Sequence, residues 1–429
     1  MSALVKLKPH QQAVVDYLDK QYGLLVYHST GSGKTITALV VAVRNNKPTV
    51  IIGPKSSKKA FYDEMIKMKF DIPYEIYSYK KMSNIITGDS FFFEGKTVIV
   101  DEAHHLRSDN YNNKFLFDAL RIADKLILLT ATPILNYLSD IAPLVNAVSK
   151  NDDLSPDHDT FNFLFYNQGE ITNVPLLKKK LTGYISYYSN KSTKDYPRTK
   201  TITTEIEMTN EQFEEYKNYL YKHLESHDLD ISFLRPAKRN IFLNVTRQLS
   251  NTIEGSPDFP KYRIILDHIM DEPKPAIVYS NFLNNGTNPL MLLLIGENIS
   301  FKKISGTTSE SRIMEIAKTY NEGKFDVLLI SSAASEGLDL KNTRQIHVME
   351  PHWNEAKIDQ VVGRAIRYKS HESLKVEDRN VVIYRYLSIF PKGIGLEEVK
   401  TADQHLTELC IRKSDMLKKF NEIVEMVSI

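Results

Sequence analysis

The sequence predicts an α/β protein made of two parallel-sheet lobes with a mostly helical segment between them. Three observations carry that prediction: a glycine-rich turn of the phosphate-binding kind, a strand ending in a carboxylate pair, and apolar runs that alternate with helical stretches in two separate parts of the chain. Runs at residues 24–27, 50–52, 98–100 and 126–129 read as buried strands of a first parallel sheet, covered by helices on both faces. The pattern returns at 276–279, 327–330, 346–349 and 381–384, which marks a second lobe. Residues 151 to 260 differ: they open on the acidic NDDLSPDHD, include a basic, turn-rich stretch at 189–198, and carry an amphipathic helix over 210–225. Phe213, Tyr216, Tyr219 and Leu220 fall on one face of that helix and read as core. The expected domains are therefore 1–150, 151–260 and 261–429, with a last helix over 403–427 closing against the second lobe.

His28 to Thr35 read HSTGSGKT, directly after the first apolar run. Such a turn aims backbone N–H groups into one concavity, and Gly31 and Gly33 keep it free of Cβ atoms, while His28, Ser29, Thr30 and Ser32 complete the loop. Lys34 then reaches the β- and γ-phosphates of a nucleotide, and the Thr35 hydroxyl serves as a magnesium ligand. The third strand ends on Asp101 and Glu102, the start of DEAH. Asp101 supplies the carboxylate on the far side of the metal, and Glu102 orients and deprotonates the attacking water. Lys34 and Glu102 are thus catalytic candidates, ATP is the nucleotide and Mg2+ the metal. In the second lobe, residues 360–367 read QVVGRAIR, which sets Arg364 and Arg367 three positions apart, expected on one helix face. If both guanidinium groups meet the γ-phosphate, hydrolysis depends on lobe closure, and chemistry becomes movement.

Composition sets the outer limits. With 429 residues, 42% hydrophobic and 25% charged, the chain has the make-up of an ordinary globular protein with length for two or three domains. No apolar run reaches the length of a membrane span and the N-terminus lacks a signal-peptide core, so an intracellular, soluble, cytoplasmic protein is expected, in host cytoplasm or virion if viral. A single cysteine, Cys410, excludes an intramolecular disulfide and a cysteine-based zinc site. Net charge of +2 does not announce a nucleic-acid binder, although residues 1–150 carry 19 Lys+Arg against 14 Asp+Glu.

Further strings give these features a family context. Residues 7–11 (LKPHQ), 53–56 (GPKS), 130–136 (TATPILN), 208–216, 246–251 (TRQLSN), 256–262, 277–282 (IVYSNF), 304–306 and 331–340 follow one another in order with the loop, the DEAH box and QVVGRAIR. In this the chain resembles superfamily 2 helicases, and among them the Swi/Snf-like double-stranded-DNA translocases. Residues 350–354 (EPHWN) and 402–406 (ADQHL) further resemble helicase-like ATPases of large DNA viruses, such as the poxvirus nucleoside triphosphatase and early-transcription group. The resemblance implies a tandem helicase core of two RecA-like lobes. It also implies adenine recognition by Gln11, ribose contact by Asp339, and a place for Gln360 in the nucleotide site. Lys55, Ser56, Ser280, Ser305, Ser331 and Ser332 would meet nucleic-acid phosphates, and Thr130 and Thr132, with His104 of the DEAH box, would couple the two activities.

The function expected from all this is an ATP-driven motor tracking double-stranded DNA, in viral transcription or genome handling, alongside transcription or replication machinery and without a membrane partner. Nothing obvious in the chain reads base edges, so binding should be sequence-independent and salt-sensitive. Two alternatives stay open: a strand-separating RNA or DNA helicase, and an ATP-clamped scaffold subunit with little turnover.

Overall fold

The computed structural model describes residues 6–55, 57–106, 111–189, 195–223, 236–331, 338–353, 355–393 and 399–429. The strands in chain order are β1 (Gly23–His28), β2 (Thr49–Ile52), β3 (Tyr74–Tyr77), β4 (Thr97–Asp101), β5 (Lys125–Thr130), β6 (Tyr166–Asn167), β7 (Glu170–Ile171) and β8 (Ile185–Tyr188). They continue as β9 (Arg198–Glu207), β10 (Ala276–Ser280), β11 (Phe301–Ile304), β12 (Val327–Ser331), β13 (Gln345–Val348) and β14 (Asn380–Ile389). Two compact units result, one from the described residues up to 189 with 412–429, the other from the described residues 195–411.

The first unit holds a six-stranded sheet in the order β3-β2-β4-β5-β1-β8, and every pairing in it is parallel. All residues of β1 and β2 are buried, as required of strands with helices on both faces. The period-two alternation sorts them: Leu24, Val26, Ile51 and Ile99 pack one face, while Leu25, Val50, Val98 and Val100 pack the other. The second unit repeats the design in the order β11-β12-β10-β13-β14-β9, again all parallel. Ile277, Leu328 and Ile346 face one layer, and Val278, Val327 and Leu329 the other. Both lobes expected from the sequence are therefore present.

The segment between them is organised differently from the expectation. Residues 151–260 do not form one insertion. Helices His158–Phe165 and Val174–Leu181, the antiparallel pair β6–β7 and strand β8 all belong to the first unit, and β8 is its edge strand beside β1. Strand β9 is the edge of the second sheet, paired along its length with β14. Its sequence RTKTITTEIE leaves most side chains exposed, so no apolar run marked it. The helix expected over 210–225 is present as Asn210–His223, and Phe213, Tyr216 and Leu220 are core, packed with Phe242, Leu243 and Phe390.

The closing helix is also corrected. It runs Ala402–Val427, but only its beginning, with Ala402 and Leu406, packs in the second unit. Met416, Phe420, Ile423 and Val424 lie in the core of the first unit instead.

Candidate active site

In the first unit the functional candidates gather at the carboxyl ends of β1, β4 and β5, which a parallel sheet places along one edge. The loop after β1 turns through left-handed conformations at Gly31 (φ 75°) and Gly33 (φ 86°) and enters helix Lys34–Asn45, with Gly33 as its N-cap. An added Cβ on Gly33 would crowd the Gln11 side-chain amide, and the left-handed backbone conformation by itself favours glycine there. Gln11, from helix Pro9–Leu18, accepts from the Lys8 N–H at 2.8 Å and donates to the Ser32 carbonyl at 3.0 Å. The residue expected at adenine is thereby fixed to the phosphate loop. Lys34 donates from Nζ to the carbonyls of His28 (2.8 Å) and Ser29 (3.2 Å), the neighbours of Thr30 in the same loop. Burial lowers its pKa, and the carboxylates of Glu102 and Asp101 oppose that shift.

Asp101 and Glu102 stand at the end of β4 beside Lys34. Burial pushes the Asp101 carboxyl upward, while the Ser57 hydroxyl, the Lys34 charge and the Glu102 N–H favour its ionised form. Glu102 has φ 50°, an uncommon left-handed conformation for a residue with a side chain. That turn sends the chain out of the strand into the 3-10 turn Ala103–Leu106. There the buried His104 ring joins three expected residues, with Nδ1 3.4 Å from Glu102 Oε2, 3.1 Å from Thr130 Oγ1 and 3.5 Å from Thr132 Oγ1. Thr132 donates its backbone N–H to Thr130 Oγ1 at 3.0 Å. The DEAH box and the TAT string thus share one hydrogen-bonded cluster.

The donors present suit a nucleotide with a hard divalent cation. The Ser32 hydroxyl is buried in the loop without a hydrogen-bond partner, Lys34 offers a cation, and Asp101 with Thr35, in the first turn of the helix, offers oxygen ligands. His28 is fully buried, with Nε2 2.9 Å from Ser186 Oγ, and burial first, then His10 and Lys34, lowers its pKa to about 3. It is a neutral wall of the loop.

Four contributors escaped the sequence reading. His10 contacts the Ser32 carbonyl at 3.0 Å through Nε2 and stacks on Tyr188 with ring centroids 3.6 Å apart. Tyr188 sits on β8, the unpredicted edge strand. Ser57 bonds Asp101, and Tyr79 donates to the main-chain carbonyls of Asp101 and Glu102. Only His10, inside the PHQ string, carried a local signal.

In the second unit Asp339 is exposed and lies 3.6 Å from the Arg367 guanidinium. Gln360 and Arg364 lie on helix Glu355–Ala365. Arg367 does not share it: the helix ends at Ala365, and Arg367 follows it, with its Nε folded back onto the Gly363 carbonyl at 3.0 Å. The expected single helix face is corrected accordingly.

The nucleic-acid candidates divide. Lys55 is exposed after β2; Ser305 and Ser331 are largely buried at the ends of β11 and β12. Ser280 is fully buried and its hydroxyl donates to the Glu350 carboxylate at 3.0 Å, so the expected phosphate contact is replaced by an internal one. Ser56 and Ser332 lie outside the described residues. Glu350 also accepts from the Asn281 N–H and from Asn251. Asn251 in turn accepts from Lys261, which pairs with Asp403 at 3.1 Å. The TRQLSN, EPHWN and ADQHL strings therefore meet in one buried polar network.

Comparison with known proteins places these features in a family. Residues 46–254 match the SNF2-related domain, and residues 260–369 match the helicase conserved C-terminal domain. The "Putative ATP-dependent RNA helicase L538" of Acanthamoeba polyphaga mimivirus is 45% identical, over 99% of this chain and 97% of its own length. The "Termination factor NPH-I homolog" of African swine fever virus is 24% identical, over 95% of this chain and 76% of its own. Among solved structures, a Sulfolobus solfataricus SWI2/SNF2 ATPase core in complex with dsDNA is 16% identical, covering 98% of this chain and 96% of the other, with a TM-score of 0.39. The chain belongs to the SNF2-related superfamily 2 helicases, the ATP-dependent family shared by its viral relatives.

Proposed function

We propose that this protein is a motor that hydrolyses ATP while tracking double-stranded DNA. The observation that carries the reading is the cluster in which Glu102, beside Lys34 and Asp101, reaches His104, Thr130 and Thr132 through one imidazole ring. A water-activating carboxylate joined to the end of a neighbouring strand gives hydrolysis a route by which to change backbone position. In this reading Lys34 neutralises the β- and γ-phosphates, and Glu102 takes the proton of the attacking water. Asp101 and Thr35 would hold Mg2+, which supplies charge neutralisation across the phosphates when bound. Gln11 and the loop from His28 to Gly33 hold the nucleotide, with Asp339 and Gln360 as further contacts. Arg364 and Arg367 are assigned to the charge on the transferred phosphoryl group.

The match to the SNF2-related domain supports duplex tracking without strand separation as the output. Lys55, Ser305 and Ser331, with Ser56 and Ser332, are the proposed phosphate contacts; Ser280 is withdrawn from that set. A role in viral transcription draws support from the relative named as a termination factor. One observation favours a second reading, a strand-separating RNA helicase: the 45%-identical relative carries that description. Displacement of a third strand from a DNA triplex, run beside unwinding of DNA and RNA duplexes, separates the two. Triplex displacement without unwinding supports the translocase; robust separation of RNA duplexes overturns it.

A further inference from the structure

We propose that Tyr79 is a positioning residue for ATP hydrolysis, its phenol hydroxyl fixing the left-handed turn from which Glu102 projects. The inference rests on the reading of Glu102 given above and adds to it the group that holds the carboxylate in place.

The hydroxyl lies 2.5 Å from the Asp101 carbonyl oxygen and 2.9 Å from the Glu102 carbonyl oxygen. In a strand, successive carbonyls point to opposite sides, and one donor does not meet both. At Glu102 they converge because φ is 50° there, and the single phenol proton is shared between two acceptors. Glutamate carries a Cβ penalty in this conformation, so the surroundings must hold it. The Glu102 carbonyl also accepts from the His105 N–H at 3.0 Å, within the same turn. Tyr79 supports the turn from elsewhere in the chain: it opens helix Tyr79–Gly88, capped by Ser78, and thus reaches the DEAH turn from a rigid element.

Asp101 and Glu102 are therefore held by two different groups. Ser57 bonds the Asp101 carboxylate, whereas the Tyr79 hydroxyl bonds the main-chain carbonyls of Asp101 and Glu102 and neither carboxylate. Removing the hydroxyl should let Glu102 relax toward ordinary backbone angles and move its carboxylate. A displacement of about 1 Å in such a group is enough to cost on the order of a hundredfold in rate.

The test uses the full chain and compares Tyr79→Phe with Tyr22→Phe, whose hydroxyl bonds the Leu120 carbonyl at 2.7 Å in the same unit, away from the site. Tyr79→Phe should lower kcat for ATP at least tenfold, with affinity for a fluorescent ADP analogue within twofold of wild type. Tyr22→Phe should lose comparable thermal stability and keep kcat within twofold. Replacement of Tyr79 by 4-aminophenylalanine restores an N–H donor at the same reach and should bring kcat to within threefold of wild type. An unchanged kcat in Tyr79→Phe, an equal loss in Tyr22→Phe, or no recovery with the amino analogue overturns the proposal. Glu102→Gln run in parallel keeps the two levels apart: if it is inactive while Tyr79→Phe is normal, only the positioning role falls, and if it turns over at the wild-type rate, the role of Glu102 falls and the proposal with it.

Discussion

At the scale of single residues, the site can be dissected by substitutions that separate binding from turnover. Lys34→Ala removes the cation beside the phosphate loop and should weaken nucleotide binding and abolish hydrolysis together. Glu102→Gln keeps the loop and the Asp101 carboxylate, so it should bind a fluorescent nucleotide like wild type while kcat drops by about a hundredfold or more. His104→Ala breaks the ring contacts to Glu102, Thr130 and Thr132, and should reduce stimulation by nucleic acid more than the basal ATPase rate. Lys34, Thr35, Asp101 and Glu102 were legible because each stands in a contiguous string whose chemistry is local. Ser57, Tyr79 and Tyr188 were not, since each acts through a contact that exists only once separate strands are paired.

Histidines also set a pH dependence of stability. His347 is fully buried, with Nε2 2.9 Å from Gln345 Oε1 and Nδ1 2.8 Å from the Tyr386 hydroxyl. Gln345 donates its amide nitrogen to the carbonyls of Glu272 and Pro273, so its oxygen accepts the His347 Nε2–H, and the Tyr386 hydroxyl bridges His347 Nδ1 and His268 Nδ1 at 2.8 Å each. Burial, then His268, lowers the His347 pKa to about 3; His28 also lies at about 3. Unfolding restores a value of about 6.5, so the unfolded chain binds more protons between those limits. Stability is therefore complete above about pH 6.5 and falls as pH drops toward 3. Each such histidine contributes a slope of at most about 1.4 kcal/mol per pH unit. Thermal midpoints recorded from pH 7 to pH 4 should fall, and His347→Gln should flatten the decline.

At the scale of elements, apolar patterning found the central strands and missed the edges. β1, β2, β4, β5, β10, β12, β13 and β14 are short runs buried on both faces, and periodicity exposes them. β3 and β9 are edge strands whose exposed positions carry Tyr, Glu, Thr and Lys, so their pattern resembles a polar loop. β8 was hidden for another reason, its tyrosine-rich ISYY lying inside a segment otherwise read as an insertion. The helix Ala402–Val427 was legible as a helix, but the destination of its apolar face was not: Phe420 and Val424 read the same whichever core receives them. The Lys261–Asp403 pair ties its first turn to helix Pro260–Asp271, with both side chains essentially buried. Lys261→Met strands the Asp403 carboxylate and should cost about 3–5 kcal/mol. Adding Asp403→Leu should recover much of that loss. The single tryptophan, Trp353, lies in the second unit, so its fluorescence through a urea titration reads that unit directly.

At the scale of the molecule, two parallel-sheet units each carry part of a helicase motif set, and the first contains the HSTGSGKT loop, the Asp101–Glu102 pair and the hydrogen bonds that join the DEAH and TAT strings. The architecture is legible in the order of motifs along the chain, because two sheets need two sets of apolar runs and one glycine-rich loop serves only one of them. No described helix is long and apolar enough to cross a membrane. The net charge of +2 makes a uniform basic surface unnecessary to the account; contact with nucleic acid is assigned to a few positions such as Lys55, Ser305 and Ser331. With one cation, Lys55, among these contacts, affinity for duplex DNA should fall about fourfold as salt rises from 50 to 200 mM, with little dependence on base sequence.

The measurement that bears most directly on the central claim is the steady-state ATPase rate with no nucleic acid, with duplex DNA, with single-stranded DNA and with RNA, side by side. Stimulation by duplex DNA well above that of the other three, absent in Glu102→Gln, is the predicted result. A rate at background under all four conditions, despite tight ATP binding, would contradict it and leave a nucleotide-clamped scaffold in its place.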